Sequence, residues 1–152
     1  MKQTTALGAN KVTEEANTYT EILFKSKEHE NFFYNALFQC KSQDVYHQAL
    51  CYCMGITNDT RVNANRIYDF KADYIKTECL HDGWQTSGSR RTLLLAFNLY
   101  TDGTPTVDSD NEEIDIENQL RACREYSVSD IFCCGDAKYF WQAIKLRYPE
   151  YV

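Results

Sequence analysis

The sequence predicts a mainly α-helical protein, a compact single-domain bundle of about six helices with one acidic loop and room for a minor strand pair. A chain of 152 residues has the usual size of one domain and can bury a core without disulfides or metal. Its 11 Tyr, 8 Phe and 2 Trp supply large apolar volumes for that core. Only 6 Gly and 2 Pro interrupt the backbone, which favours helices joined by short turns over a sandwich of many strands.

The chain divides into a polar arm and one helical domain. Residues 1–20 are polar and show no apolar periodicity, so we expect a flexible N-terminal arm there and a single domain over residues 21–152. The amino end has no apolar segment of the length that a secretory signal requires, and no later run approaches about 20 apolar residues. These features predict a cytoplasmic protein that does not enter the membrane.

Two helices with clear N-terminal caps open the domain. Ser26 precedes a segment whose apolar residues recur at helical spacing, and Glu28 stands in the first turn, where a negative charge favours a helix. Asp44 can cap the second helix, and Gly55 occupies the position where a left-handed C-terminal residue is common. We expect the two helices to form a hairpin. Their apolar positions are Phe32, Phe33, Ala36, Leu37 and Cys40 in the first, and Val45, Tyr46, Ala49, Leu50, Cys53 and Met54 in the second.

The middle of the chain predicts shorter helices followed by a buried one. Asn58 or Asp59 can cap one short helix, and residues 73–80 are expected to form another. The apolar run at residues 93–100, LLLAFNLY, has the composition of a buried central helix. A strand over residues 92–100 is the alternative, because a short apolar run has no decisive periodicity. The apolar positions of the two short helices are Val62, Ile67 and Phe70, then Ile75, Cys79 and Leu80.

An acidic loop and three helical segments complete the domain. Asp102-Gly103 ends the buried helix, and residues 101–113 have the composition of a solvated loop. Ser127 can cap a short helix, and residues 137–148 form the last one, which Pro149 stops. Another helix is expected between the loop and Ser127. It would contain Ile114, Ile116, Leu120 and Cys123.

Negative charge is concentrated in one stretch. The chain has 22 acidic and 16 basic residues, a net charge of −6, and six acids with no base lie within residues 108–117. Outside this stretch the charges balance, so a general attraction to nucleic acid is not indicated. The stretch is either a solvated loop or a surface for a basic partner protein. The candidate partner-binding residues are Asp108, Asp110, Glu112, Glu113, Asp115 and Glu117, together with the aromatic Trp141.

The turn at residues 84–91 is the candidate site for a small ligand. Hydroxyl residues and a glycine precede a helix, and two arginines stand in its first turn, where positive side chains oppose the helix dipole unless an anion offsets them. This arrangement indicates a site for phosphate or carboxylate. The alternative is that Ser87 or Ser89 only caps the helix and the arginines are solvated. The candidate ligand-binding residues are Trp84, Gln85, Thr86, Ser87, Ser89, Arg90 and Arg91, with Arg61 nearby.

The spacing of cysteine and histidine does not indicate a metal site or a catalytic nucleophile. The seven cysteines are odd in number, and we expect free thiols that are mostly buried. Cys51 and Cys53 point in different directions on a predicted helix, and the chain has no C-x-x-C knuckle. His47 is expected to be a partly exposed residue of a helix surface. We therefore predict no metal, no cofactor and no catalytic residue that can be named.

Three segments of the chain stand out as specific motifs: Asp59-Thr60-Arg61, Trp84-Gln85-Thr86 with Leu95–Leu99, and Ala143–Tyr151. In these segments the chain resembles a family of small uncharacterised proteins from Gram-positive gut bacteria and their phages or mobile elements. The resemblance runs from about residue 24 to the end, and the acidic segment 106–118 is longer than it leads one to expect. It implies a phage or mobile-element context but no activity, so no catalytic role passes to any residue.

Three hypotheses for function follow. The first is a small accessory protein that binds a host protein and modulates or inhibits a host complex, defence complexes included, through the acidic stretch and exposed aromatic residues. The second is a nucleotide or nucleic-acid binder that uses the turn at residues 84–91. The third is an enzyme whose motif is not recognised.

Overall fold

The computed structural model of the chain describes residues 21–107, 113 and 115–152, so the arm expected at residues 1–20 and residues 108–112 of the acidic loop lie outside the described residues. Within the described part the prediction of a mainly α-helical protein is confirmed. The helices and strands are α1 (Lys27–Gln39), α2 (Val45–Gly55), α3 (Asn58–Val62), α4 (Ala64–Ile67), β1 (Tyr68–Asp69), β2 (Tyr74–Ile75), α5 (Ser87–Thr101), α6 (Ile116–Glu125), α7 (Val128–Phe132) and α8 (Ala137–Arg147), with 3-10 turns at Thr77–His81 and Pro149–Tyr151.

The centre of the fold is α2, which packs against α1, α5 and α8. Its last seven residues, 49–55, are all buried, and the helix contains no Asp, Glu, Lys or Arg. The run at residues 93–100 is helical as expected and lies within α5, so the alternative of a strand is wrong. The expectation that this run is the central helix is also wrong. α5 flanks α2 and keeps polar side chains such as Arg91 and Asn98 partly exposed.

Side-chain caps set the starts of the helices. The Ser26 hydroxyl accepts a hydrogen bond from the His29 N–H at 3.1 Å, and the Asp44 carboxylate accepts one from the His47 N–H at 3.0 Å, as expected. The Ser127 cap of α7 is confirmed as well, since its hydroxyl accepts from a main-chain N–H of the first turn at 3.3 Å. α3, in contrast, is capped by Thr57 rather than by Asn58 or Asp59.

Left-handed backbone occurs at aspartates rather than at the predicted glycine. Gly55 is the last residue of α2, and none of the described glycines has a positive φ. Asp102, with φ 56°, ends α5, and Asp73, with φ 66°, turns the chain between the two strands. Residues 73–80 therefore do not form a helix. Tyr74 and Ile75 form β2, which pairs antiparallel with β1, and a 3-10 turn follows at Thr77–His81.

Within the described residues, none of the helices combines the length and the apolar character needed to span a bilayer.

Candidate functional site

α6 presents its apolar side chains to solvent. Ile116 is 74% exposed, Leu120 is 57% exposed, and Cys123, one turn further along, is exposed as well. No residue of this helix is fully buried. The prediction of a helix that contains Ile116, Leu120 and Cys123 is confirmed, while Ile114 lies outside the described residues. The half-buried residues of the helix are Gln119, Ala122 and Glu125.

Polar contacts at the carboxyl end of α6 hold the helix in this orientation. The Glu125 carboxylate accepts a hydrogen bond from the Arg90 guanidinium of α5 at 2.8 Å. The Tyr126 hydroxyl, in the residue after the helix, bonds to the hydroxyl and the main-chain N–H of Thr106. Because these contacts anchor the polar side, the apolar side remains free. It forms a shallow depression lined by Leu120, Cys123, Arg124 and Ser127.

The two ends of α6 differ in charge. Glu113, Asp115 and Glu117 are exposed at its amino end, where Asp115 also caps the helix. Arg121 and Arg124 are exposed in its carboxyl half. We call the solvent-facing side of α6, which includes Ile116, Leu120 and Cys123, its outer face. This face has an acidic amino end and a basic carboxyl end. The predicted partner-binding residues that lie outside the described part are Asp108, Asp110 and Glu112.

Trp141 on α8 is also at the surface, 54% exposed. Its ring stacks at a tilt on Phe132 of α7, with 4.9 Å between the ring centroids. α7 contacts both α6 and α8, so Trp141 and the apolar face of α6 belong to helices on either side of α7.

The polar groups of the turn at residues 84–91 bond mainly to one another. Thr86 caps α5: its hydroxyl accepts from the Ser89 N–H at 3.1 Å, and the Ser89 hydroxyl accepts from the Thr86 N–H at 2.9 Å. Gln85 bonds to the Ser89 hydroxyl and to the Cys79 carbonyl, and the Trp84 indole N–H donates to Asp82. Thr86 and Ser89 thus form the cap of α5. Their hydrogen bonds, with those of Gln85 and Trp84, stabilise the turn itself.

Three of the predicted ligand-binding residues, Ser87, Arg90 and Arg91, line a surface cavity of about 380 Å³. The cavity also holds Glu125 and Asp130, so its two bases face two acids. Arg90 donates to the Leu80 carbonyl at 3.0 Å as well as to Glu125, and Arg91 donates to the Asp130 carbonyl at 2.9 Å. The arginines are therefore not simply solvated, because they tie α6 and α7 to α5. The remaining candidate, Arg61, donates instead to the Gly55 carbonyl at the end of α2.

Sequence reasoning missed a buried polar cluster around His47, which is only 5% exposed rather than partly exposed. Its Nδ1 lies 2.7 Å from Asp44 and its Nε2 lies 2.8 Å from Asp73. The hydroxyls of Tyr68 and Tyr100 also donate to the Asp73 carboxylate. Both imidazole nitrogens are engaged, so this histidine is not free to act on a substrate. The cluster fastens the turn between β1 and β2 to α2 and α5.

The charges of this cluster stabilise one another. Burial opposes protonation of His47, but the hydrogen bonds to Asp73 and Asp44 outweigh it, so the pKa of His47 is raised. The hydrogen bonds from Tyr68 and His47 lower the pKa of Asp73 to about 2. Because each ring nitrogen faces a carboxylate oxygen, which can only accept, this geometry favours the imidazolium form of His47.

Histidine, cysteine and acidic side chains do not converge on a metal position in the part of the chain that the structure describes. Cys51, Cys53 and Cys79 are buried, and each is a free thiol.

One protein family matches this chain. The model of a family of unknown function, DUF6075, matches residues 19–152. The chain belongs to this family. No curated protein and no solved structure matches it. The family match spans every helix from α1 to α8 and so includes the outer face of α6, the arginine cavity and the His47 cluster. Since the family carries no assigned activity, function has to be argued from geometry.

Proposed function

We propose that the chain is a small accessory binding protein that docks on a partner protein through the outer face of α6, as a helix laid into a groove. The observation that supports this most is the orientation of the helix, which turns Ile116 and Leu120 to solvent and Ala122 and Glu125 to the protein. Full burial of such aliphatic side chains is worth about 1.5–3 kcal/mol each. Folding of this chain leaves that free energy largely unused, and a partner groove would recover it.

The partner has an apolar groove with a basic rim at one end. Glu113, Asp115 and Glu117 are exposed where α6 begins, and the preceding segment adds further acids with no base between them. Complementary charge would orient the helix in the groove and raise the association rate. Arg124, exposed near the other end, calls for an acidic or neutral rim there.

We infer a host protein complex, defence complexes included, as the class of partner. The support is the phage or mobile-element context that the sequence resemblance implies. In this context a small protein can modulate or inhibit its target by occupying a surface.

Two matched substitutions that each introduce a negative charge test the proposal. Leu120→Asp places a charge in the apolar face of α6. Val62→Asp places the same charge at a position of α3 that is 70% exposed and serves as the control. Both variants and the wild type are immobilised, and the proteins retained from a Gram-positive lysate are compared. We expect a protein that the wild type and V62D retain and that L120D does not.

The retained protein is then purified and its Kd measured. L120D should weaken binding at least about tenfold, which is the loss typical of a central interface residue. Added salt should weaken binding of the wild type, because the acidic end of α6 contributes attraction at long range. Equal Kd values for the wild type and L120D would show that α6 is not the binding surface.

A phosphate-bearing ligand, such as a nucleotide, is a second candidate function. The cavity lined by Ser87, Arg90 and Arg91 supports this candidate. The N–H groups of Arg91 that do not bond to Asp130 can bind an anion in a bidentate manner. A nucleotide should then raise the melting temperature of the wild type in a saturable way, and Arg91→Ala should remove the rise. Glu125 and Asp130 in the same cavity weaken its attraction for anions, so this candidate ranks below protein binding.

A further inference from the structure

Two cysteine sulfurs are in contact between α1 and α2. The Sγ atoms of Cys40 and Cys51 lie 3.5 Å apart. The Cys40 thiol also donates to the Ala36 carbonyl at 3.4 Å, which uses its single proton. Cys51 is therefore the donor between the two sulfurs, and Cys40 is the acceptor. Among the described residues, no other pair of sulfurs lies within hydrogen-bonding distance.

The hydrogen bond makes the two sulfurs chemically different. Accepting the bond from Cys51 lowers the pKa of Cys40, and the nearby charge of His47 acts in the same direction against burial, Asp73 and Asp44. Donating the bond, together with burial, raises the pKa of Cys51. Cys40 is thus the sulfur that more readily becomes a thiolate.

The positions of Cys40 and Cys51 in the fold also distinguish the two residues. Cys40 is the first residue after α1, has extended backbone, and is 6% exposed beside the short loop that leads to α2. Cys51 lies in the middle of α2 and is fully buried. Of the two residues only Cys40 retains any exposure, so a small reagent would have to approach from the loop side, and Cys51 lies further inside.

We propose that Cys40 and Cys51 form an oxidation site for hydrogen peroxide or a small alkyl hydroperoxide. Cys40 first releases its proton, and its thiolate attacks one peroxide oxygen. The O–O bond breaks, Cys40 becomes a sulfenic acid, and the leaving oxygen takes up the released proton to form water or alcohol. The Cys51 sulfur then attacks the Cys40 sulfur and displaces the hydroxyl group, which leaves as water with the Cys51 proton. Two thiols lose two electrons to the peroxide and form one disulfide.

A disulfide between Cys40 and Cys51 requires only a small movement of the two sulfurs. An S–S bond is about 2.05 Å long, so the sulfurs must approach by about 1.5 Å. Cys40 can follow because it lies outside the regular part of α1. The bond would close a short loop that contains the α1–α2 connection and would fasten the outer end of α1 to the central helix.

Intact mass and peptide mapping of the full chain test the site. The reduced protein is treated with hydrogen peroxide, quenched with an alkylating agent and digested. We expect the loss of two hydrogens and a cross-linked peptide pair that joins Cys40 to Cys51. The same loss should persist in Cys53→Ser, which removes another fully buried thiol of α2, and should vanish in Cys51→Ser.

A second variant tests whether the exposed thiols account for the oxidation. In a variant with Ser at positions 123, 133 and 134, which lie on the surface or near it, only buried thiols remain to react. The Cys40–Cys51 cross-link should form in this variant at the same rate as in the wild type. A folded protein in which Cys40 stays alkylatable after peroxide treatment, or in which the two-hydrogen loss maps to other cysteines, would overturn the proposal.

Discussion

The imidazole of His29 occupies the space that a side chain at position 55 would need. A Cβ on Gly55 would lie 2.5 Å from the His29 Cδ2 atom. His29 is fully buried, accepts a hydrogen bond at Nδ1 from the Lys25 N–H at 3.1 Å, and has its Nε2 2.8 Å from the Tyr52 carbonyl. Because the Lys25 N–H can only donate, the His29 proton sits on Nε2. This neutral tautomer joins the segment before α1 to the central helix.

Substitution of Gly55 should therefore destabilise the protein. Gly55→Ala is expected to lower the free energy of unfolding by about 1–3 kcal/mol, the usual cost of overpacking a core. Alanine improves helix propensity by about 1 kcal/mol, which offsets only part of the cost. Urea denaturation measures the change. Gly88→Ala is the matched control, because its Cβ would meet its nearest neighbour at 3.8 Å and the variant should be as stable as the wild type or slightly more so.

His29 should remain neutral well below the usual pH. Burial lowers the pKa of His29 to about 4, although its bond to the Tyr52 carbonyl acts in the opposite direction. The unfolded chain binds this proton near pH 6.5, so stability from the neutral form is complete above that pH and is lost as the pH falls toward 4. The measurement is the NMR titration of the imidazole Cε1 proton. Titration of His29 near pH 6.5 in the folded protein would contradict the assignment.

His47 should show the opposite dependence on pH. Its folded-state pKa lies above the unfolded value, because the bonds to Asp73 and Asp44 outweigh burial. Its contribution to stability is therefore complete below about pH 6.5 and is lost as the pH rises through the folded-state pKa. Unfolding is measured at pH 6 and pH 8 for the wild type and for His47→Gln. Since the variant retains His29, parallel pH dependences of the two proteins would rule out the charged cluster.

Local chemistry explains which parts of the fold could be predicted. The caps at Ser26 and Asp44 depend on bonds to residues three positions later, so sequence spacing is sufficient to find them. The environment of His47 depends on Asp73, which lies 26 residues away in the chain. Asp73 also has a positive φ that no local pattern indicates. Likewise, the absence of a side chain at Gly55 serves the distant His29 rather than a turn.

The same reason accounts for the candidate surfaces. Spacing predicts that Ile116, Leu120 and Cys123 share one face of a helix, but not which face the protein covers. The answer depends on Arg90, which pairs with Glu125 on the other side of α6, 35 residues later in the chain. That ion pair also balances, within the protein, part of the positive charge of the arginines in the first turn of α5.

Leu120 should contribute almost nothing to stability, although it is a leucine in a helix. Its side chain is more than half exposed, so Leu120→Ser is expected to change the free energy of unfolding by no more than about 0.5 kcal/mol. Leu93→Ala, at a fully buried position of α5, should cost about 2–5 kcal/mol and provides the comparison. Both values come from denaturant unfolding at one pH. If L120S cost as much as L93A, the outer face of α6 would be packed in the folded chain and would have no surface to offer a partner.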